Sequence, residues 1–129
     1  VMKKFHTRDG MGVNLLKRSG IPTIIVTKEK TKIVRRWAKK MNIEHVYDGI
    51  HDKESIASII MKKYNVKISE IGYIGDDVND IGLLKKVGFS ACPNDGIEQV
   101  RSIVNYVCEK KGGEGVFREV ADIFLRHNS

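Results

Sequence analysis

Apolar residues recur along this chain in two alternating rhythms, short continuous runs and longer stretches spaced by three and four. Residues 22–27 (Pro22-Thr23-Ile24-Ile25-Val26-Thr27) form a β-branched run that predicts a buried strand. From residue 28 to 42 the pattern turns helical. Ile33, Val34, Trp37, Ala38 and Met41 fall on one face, with Trp37 as a core anchor. A short strand is expected at 44–47, ended by Asp48-Gly49, and a helix at 52–64 with Ile56, Ile59 and Ile60 on its apolar side. Ser69 marks a turn before the apolar strand 71–75. A helix over 78–87, a strand over 88–92 and a Pro93-Asn94-Asp95-Gly96 turn come next. Residues 97–101 read as helical, 104–108 as a strand and 110–115 as a glycine-rich loop. A last helix over 116–125 buries Val120, Ile123 and Phe124. Near the amino end, Asp9-Gly10 reads as a turn.

Strand, helix and strand in repeated alternation imply an α/β fold: a three-layer, Rossmann-like parallel sheet with helices on both faces. Ligands in such folds sit at the carboxyl ends of the strands. Three of those ends carry polar groups: Thr27, the loop from Asp48 to Lys53, and Asp76-Asp77. The topology is expected to gather them along one rim.

The densest chemistry lies in Tyr73-Ile74-Gly75-Asp76-Asp77-Val78-Asn79-Asp80. An apolar strand ends in a glycine and then presents three carboxylates within five residues. Like charges so close repel and call for a cation or a strong set of donors. Hard oxygen ligands of this kind suit Mg²⁺, with Asp76 as a direct ligand. Helix capping accounts for one or two such acids. It does not account for three that follow a strand and a glycine. Asp77 and Asp80 are expected to support the site through metal-bound water or through Lys53. Thr27 reads equally as an N-cap and as a donor of its hydroxyl and backbone N–H to a phosphoryl oxygen. Lys53, taken alone, is a surface lysine at a helix start; taken with the acids, it neutralises a phosphoryl oxygen. Phosphoryl transfer needs little beyond such positioning and charge stabilisation.

Composition narrows the classes. At 129 residues, 41% hydrophobic and 30% charged, the chain suits one globular domain, residues 1–129. No apolar run is long enough to span a membrane, and Cys92 and Cys108 lack metal-ligand spacing and read as core residues. A cytoplasmic protein without a leader or membrane partner is the expectation. The net charge of +7 is concentrated in Lys28, Lys30, Lys32, Arg35, Arg36, Lys39 and Lys40. Aromatics are only 7% and do not interleave these cations in a stacking pattern, so nucleic acid is not an expected partner. His6, His45, His51 and His127 have no carboxylate at a telling spacing.

The order Thr27, Lys53, Gly75-Asp76-Asp77-x-x-Asp80 resembles motifs two, three and four of the haloacid dehalogenase phosphatase superfamily. A receiver domain shares these residue types, but with its acids first. Arg8-Asp9-Gly10-x-Gly12, Lys86-Val87-Gly88 and Gly112-Gly113-x-Gly115-x-x-Arg118-Glu119 narrow the likeness to the cap-less branch acting on 2-keto-3-deoxy sugar acids. That branch includes 3-deoxy-manno-octulosonate 8-phosphate phosphatases, nonulosonate 9-phosphate phosphatases and the carboxy-terminal module of some acylneuraminate cytidylyltransferases. The likeness covers essentially the whole chain. Thr27-Lys28-Glu29-Lys30-Thr31 and Gly112-Gly113-Glu114-Gly115 look more like the nonulosonate type, although Lys28 stands where a glycine is usual.

The resemblance implies Mg²⁺-dependent hydrolysis of a phosphorylated sugar acid. It implies substrate contacts from Arg8, Asp9, Thr27, Lys28, Glu29, Lys53, Gly113 and Arg118, catalytic parts for Thr27, Lys53 and Asp80, and metal ligation by Asp76 and Asp77. It also implies a homotetramer in which one subunit covers the next subunit's site. The family's first motif is an Asp-x-Asp-Gly strand carrying nucleophile and acid–base residue, and it corresponds to a position before Val1, as does a hairpin. The expectation is therefore an amino-terminally incomplete domain, inactive by itself as a hydrolase. The alternative is a non-catalytic oligomerisation module beside a cytidylyltransferase domain.

Overall fold

The computed structural model describes residues 7–27, 32–43 and 45–127. Glu44, His6, Lys28 and Glu29 lie outside the described residues, as do the side chains of Arg8, Asp9, Ile33 and His127. The chain gathers into two compact units, one of residues up to Ile50 and from Gly112 onward, the other of His51–Lys111.

The first unit holds helix α1 (Thr7–Arg18), strand β1 (Ile24–Val26), helix α2 (Lys32–Lys40), strand β2 (His45–Tyr47) and a carboxy-terminal helix, Val116–His127. β1 and β2 pair in parallel, Ile25 opposite Val46, as a strand–helix–strand connection requires. Val13, Ala38, Met41 and Ile43 form its core, with Ile25, Trp37, Val46 and Phe117 packed against them. Trp37 is the anchor its spacing suggested, and Lys40 lies over its ring, 4.9 Å from the centroid. Asn42 ends α2 in the left-handed conformation (φ 67°), which asparagine tolerates.

Helix α1 corrects the turn expected at Asp9-Gly10. Two glycines lower helix propensity there, but tertiary packing overrides them. A methyl group on Gly12 would stand 3.2 Å from the Phe117 ring and 3.3 Å from the Arg118 Cα. The glycine lets α1 approach the backbone of the carboxy-terminal helix, and the area buried between the two replaces the missing propensity.

The second unit holds α3 (Lys53–Tyr64), β3 (Gly72–Ile74), α4 (Ile81–Leu84), β4 (Phe89–Cys92), α5 (Glu98–Arg101) and β5 (Tyr106–Val107); the Val116–His127 helix is therefore α6. All its strand pairs are parallel, in the order β3-β4-β5, with Tyr73 opposite Ser90 and Cys92 opposite Val107. Ser90 is buried and exchanges hydrogen bonds with Asn105, which ties β4 to the entry of β5. Cys92 and Cys108 are both buried, as expected of core residues. The helix expected over 78–87 is a 3-10 turn, Val78–Asp80, running into the short α4. Each unit follows the same parallel α/β scheme. Among the described residues, no helix is long and apolar enough to cross a membrane.

Candidate active site

The site is built on three neighbouring pieces of the second unit: the start of α3, the middle of β3 and the turn after β3. Asp52 caps α3. Its carboxylate accepts from the Glu54 amide at 3.2 Å, and its carbonyl accepts from the Ser55 hydroxyl at 2.8 Å. The cap fixes the base of Lys53, the first residue of the helix.

Asp80 is the hub. Its Oδ1 accepts from Lys53 Nζ and from the Tyr73 hydroxyl, each at 2.6 Å. Its Oδ2 accepts from the backbone amides of Asp76 (3.0 Å) and Asp77 (3.2 Å). The Asp80 side chain is 3% exposed and that of Lys53 10%. Burial pushes the Asp80 carboxyl up, but hydrogen bonds from Lys53 and Tyr73, the lysine charge and the Asp76 amide together hold it below the usual carboxylate range. Burial, then the negative charge and hydrogen bond of Asp80, push the Tyr73 phenol far above its ordinary value, so it stays a donor.

Gly75 makes this fold-back possible. A methyl group there would sit 2.6 Å from the Asp80 Cβ and 2.9 Å from its Oδ2. Asp77 is the N-cap of the 3-10 turn, its Oδ1 accepting from the Val78 amide at 2.7 Å. Asp76 is exposed. The repulsion anticipated among three carboxylates is thus relieved within the chain: one is buried among four donors, one caps the 3-10 turn and one is exposed. Of the two supports expected for Asp80, the structure shows the lysine.

Asp76 and Asp77 fit Mg²⁺ in kind, as hard oxygen donors. They are two, and among the described residues no group of three or more His, Cys, Asp or Glu forms a ready cage for a metal ion. A cation held here would draw its remaining ligands from water or from a phosphate.

Among the described residues Asp80 is the ion-pair partner of Lys53. An ammonium has three N–H donors, so an anion can take those not turned to Asp80. Outside the ion pair, a second brace joins the same helix to the turn that follows α4: Lys86 Nζ donates to Glu54 Oε2. Both of its partners are well exposed.

Other expected residues lie in the first unit. Thr27 is fully buried; its N–H donates to the Tyr47 carbonyl (2.9 Å) and its carbonyl accepts from the Ile50 amide (3.0 Å). The N–H expected for a phosphoryl oxygen therefore belongs to the strand ladder, and the hydroxyl is the group to which that expectation attaches. Asp48, in the same loop, takes a bidentate pair of bonds from Arg35, each 3.0 Å. Gly113 and Gly115 have positive φ (80° and 99°), which suits glycine. Arg118 Nε donates to Asp122 one turn on, at 3.0 Å.

Sequence reasoning passed over the Tyr73 hydroxyl. Its signal was the phenol itself: a tyrosine inside an otherwise aliphatic strand needs a partner for its O–H.

A family model described as haloacid dehalogenase-like hydrolase matches residues 16–120. The chain is 32% identical over 124 residues to the 3-deoxy-D-manno-octulosonate 8-phosphate phosphatase of Escherichia coli K12, covering 96% of this chain and 66% of that one. It therefore spans just under two thirds of that relative's length. A solved 3-deoxy-D-manno-octulosonate 8-phosphate phosphatase from Moraxella catarrhalis, in complex with magnesium, phosphate and KDO, superposes with a TM-score of 0.91 at 36% identity, covering 97% of this chain and 72% of that one. The cobalt-bound Haemophilus influenzae phosphatase gives 0.91 at 31%, covering 98% and 74%.

Proposed function

The chain belongs to the haloacid dehalogenase-like hydrolases, in the branch that holds the 3-deoxy-manno-octulosonate 8-phosphate phosphatases, and from that premise we propose that it forms the phosphate-handling body of a Mg²⁺-dependent phosphomonoesterase acting on a phosphorylated 2-keto-3-deoxy sugar acid. The observation that carries this is the buried Lys53–Asp80 pair, which is hydrogen-bonded through Asp80 to the backbone of Asp76 and Asp77. It supports the reading by tying a buried ammonium, through one carboxylate, to the backbone of two residues whose side chains suit a metal.

In this scheme Lys53 takes a phosphoryl oxygen, and Asp80 holds the ammonium in place without itself reaching substrate. Asp76 and Asp77 hold the cation, which when bound neutralises phosphate charge. No Asp-x-Asp-Gly segment occurs among the 129 residues, so the nucleophile and the acid–base group are assigned to no residue of this chain. The roles implied by motif order for Thr27, Arg8, Asp9, Lys28, Glu29, Gly113 and Arg118 stay part of the proposal, each open to its own alanine substitution. So does a homotetramer, measurable by light scattering.

On the sugar acid, the relatives support octulosonate 8-phosphate, whereas the segments 27–31 and 112–115 look more like the nonulosonate 9-phosphate type. A direct comparison of phosphate release from the two substrates decides between them.

The main test uses a polypeptide that joins these residues to an Asp-x-Asp-Gly strand. Asp76→Asn is expected to lower Mg²⁺-dependent phosphate release by about 100-fold or more. Lys53→Ala should weaken inhibition by inorganic phosphate. Turnover near wild type in Asp76→Asn would end its assigned role. The 129 residues alone should release no phosphate from a phosphomonoester.

A further inference from the structure

We propose that Tyr73 is a positioning residue for the Lys53 ammonium: its hydroxyl, on the same Asp80 oxygen as the lysine, fixes where the anion-binding N–H groups point. The inference rests on the anion role proposed for Lys53.

A lysine is a point charge on a flexible four-carbon stem, so its aim comes from its partner. Here the partner is immobile. Each carboxylate oxygen has two lone pairs. On Asp80 Oδ2 the two amides fill both, which stops the carboxylate from rotating. On Oδ1 the Tyr73 hydroxyl fills one, and Lys53 is left the other, both at 2.6 Å. Without the phenol, the ammonium can slide across both lone pairs of Oδ1. The tyrosine is itself held: its ring packs against a cluster of Ala57, Leu83 and Val87 and against a second cluster of Leu84, Cys92 and Val100. The rigidity of β3 and the apolar core is thereby passed to a side chain on another element, through one oxygen atom.

A tyrosine that only packs would behave differently, and two substitutions separate the cases. Tyr73→Phe keeps the ring and loses the hydroxyl; Tyr73→Leu loses both. Inorganic phosphate in the presence of Mg²⁺ is the probe, titrated calorimetrically below the unfolding temperature of each variant. Positioning predicts that both variants bind phosphate about tenfold more weakly, by equal factors, although Tyr73→Leu is the less stable. Packing predicts that Tyr73→Phe restores wild-type affinity, and that result overturns the proposal. Proton exchange of the Lys53 ammonium, followed by ¹H–¹⁵N NMR, gives a readout that needs no phosphate. It should quicken about tenfold in Tyr73→Phe, as for loss of one hydrogen bond. If the wild-type protein binds no phosphate, the anion role falls, and the ammonium signal still decides whether Tyr73 positions Lys53. Unchanged exchange in Tyr73→Phe sinks the positioning claim in either case.

Discussion

Gly75 and Gly82 stand seven residues apart, and a methyl group would collide at either, yet the consequences differ in kind. At Gly75 the obstacle is the Asp80 side chain, 2.6 Å away and tied by four hydrogen bonds. Gly75→Ala must expel a buried carboxylate and strand the Lys53 charge, so it is expected to cost about 3–5 kcal/mol, the range for breaking a buried pair. At Gly82 the obstacle is Glu54 Oε1, the tip of an exposed, flexible side chain. Gly82→Ala loses a surface ion pair worth about 0–1 kcal/mol and gains about 1 kcal/mol of helix propensity, so the net change should lie near zero. Urea unfolding of the two variants checks both statements, and equal destabilisation would refute the distinction. The sequence made the acidic segment legible because a strand, a glycine and clustered carboxylates are a local pattern. It left open which acid is buried, since that depends on Tyr73 and Lys53, the latter 27 residues from Asp80.

Elements were legible where one periodicity dominates. β1, α2, α3, β3 and β4 lie within the runs that predicted them, because each has an apolar face that its own residues spell out. α1 was not legible, since Gly10 and Gly12 serve a close approach to α6, a contact about a hundred residues distant that no local window contains. The break of the 78–87 helix into a 3-10 turn and α4 was hidden for a similar reason: Asp80 turns back to the 76 and 77 amides instead of facing solvent. That turn gives a test separating the cap made by Asp77 from the metal role proposed for it. Asp77→Asn keeps an oxygen for the Val78 amide and removes the charge; Asp77→Ala removes both. A ligand that is also a cap predicts near-wild-type stability but weakened Mg²⁺ dependence for Asn. For Ala it predicts a further loss of about 1 kcal/mol. Equal Mg²⁺ dependence in wild type and Asp77→Asn, measured by phosphate release across a magnesium titration, would leave Asp77 as a cap alone.

At the scale of the whole molecule, the order of motifs fixes the family, while stability against pH depends on groups that the order does not reveal. Asp80 and Tyr73 share one hydrogen bond and act at opposite ends of the scale. Asp80 is held below its ordinary range in the folded state. The unfolded chain therefore takes up a proton first, near pH 4, and Asp80's contribution is lost as the pH falls below that point. Tyr73 is held above its ordinary range. The unfolded chain gives up that proton near pH 10 while the fold retains it, so the unfolded state binds fewer protons and stability falls as pH rises further, by about 1.4 kcal/mol per unit for one group. Between these limits the pair contributes a constant amount. Lysines also lose protons in alkali, but they do so in wild type and in Tyr73→Phe alike. The difference in urea midpoint between the two proteins thus isolates the phenol. It should stay constant from pH 7 to about pH 9.5 and shrink above about pH 10. A difference that persists unchanged to pH 11 would mean that the folded protein does not hold the Tyr73 proton, and that the hydroxyl is not the committed donor to Asp80 on which the geometry of Lys53 depends.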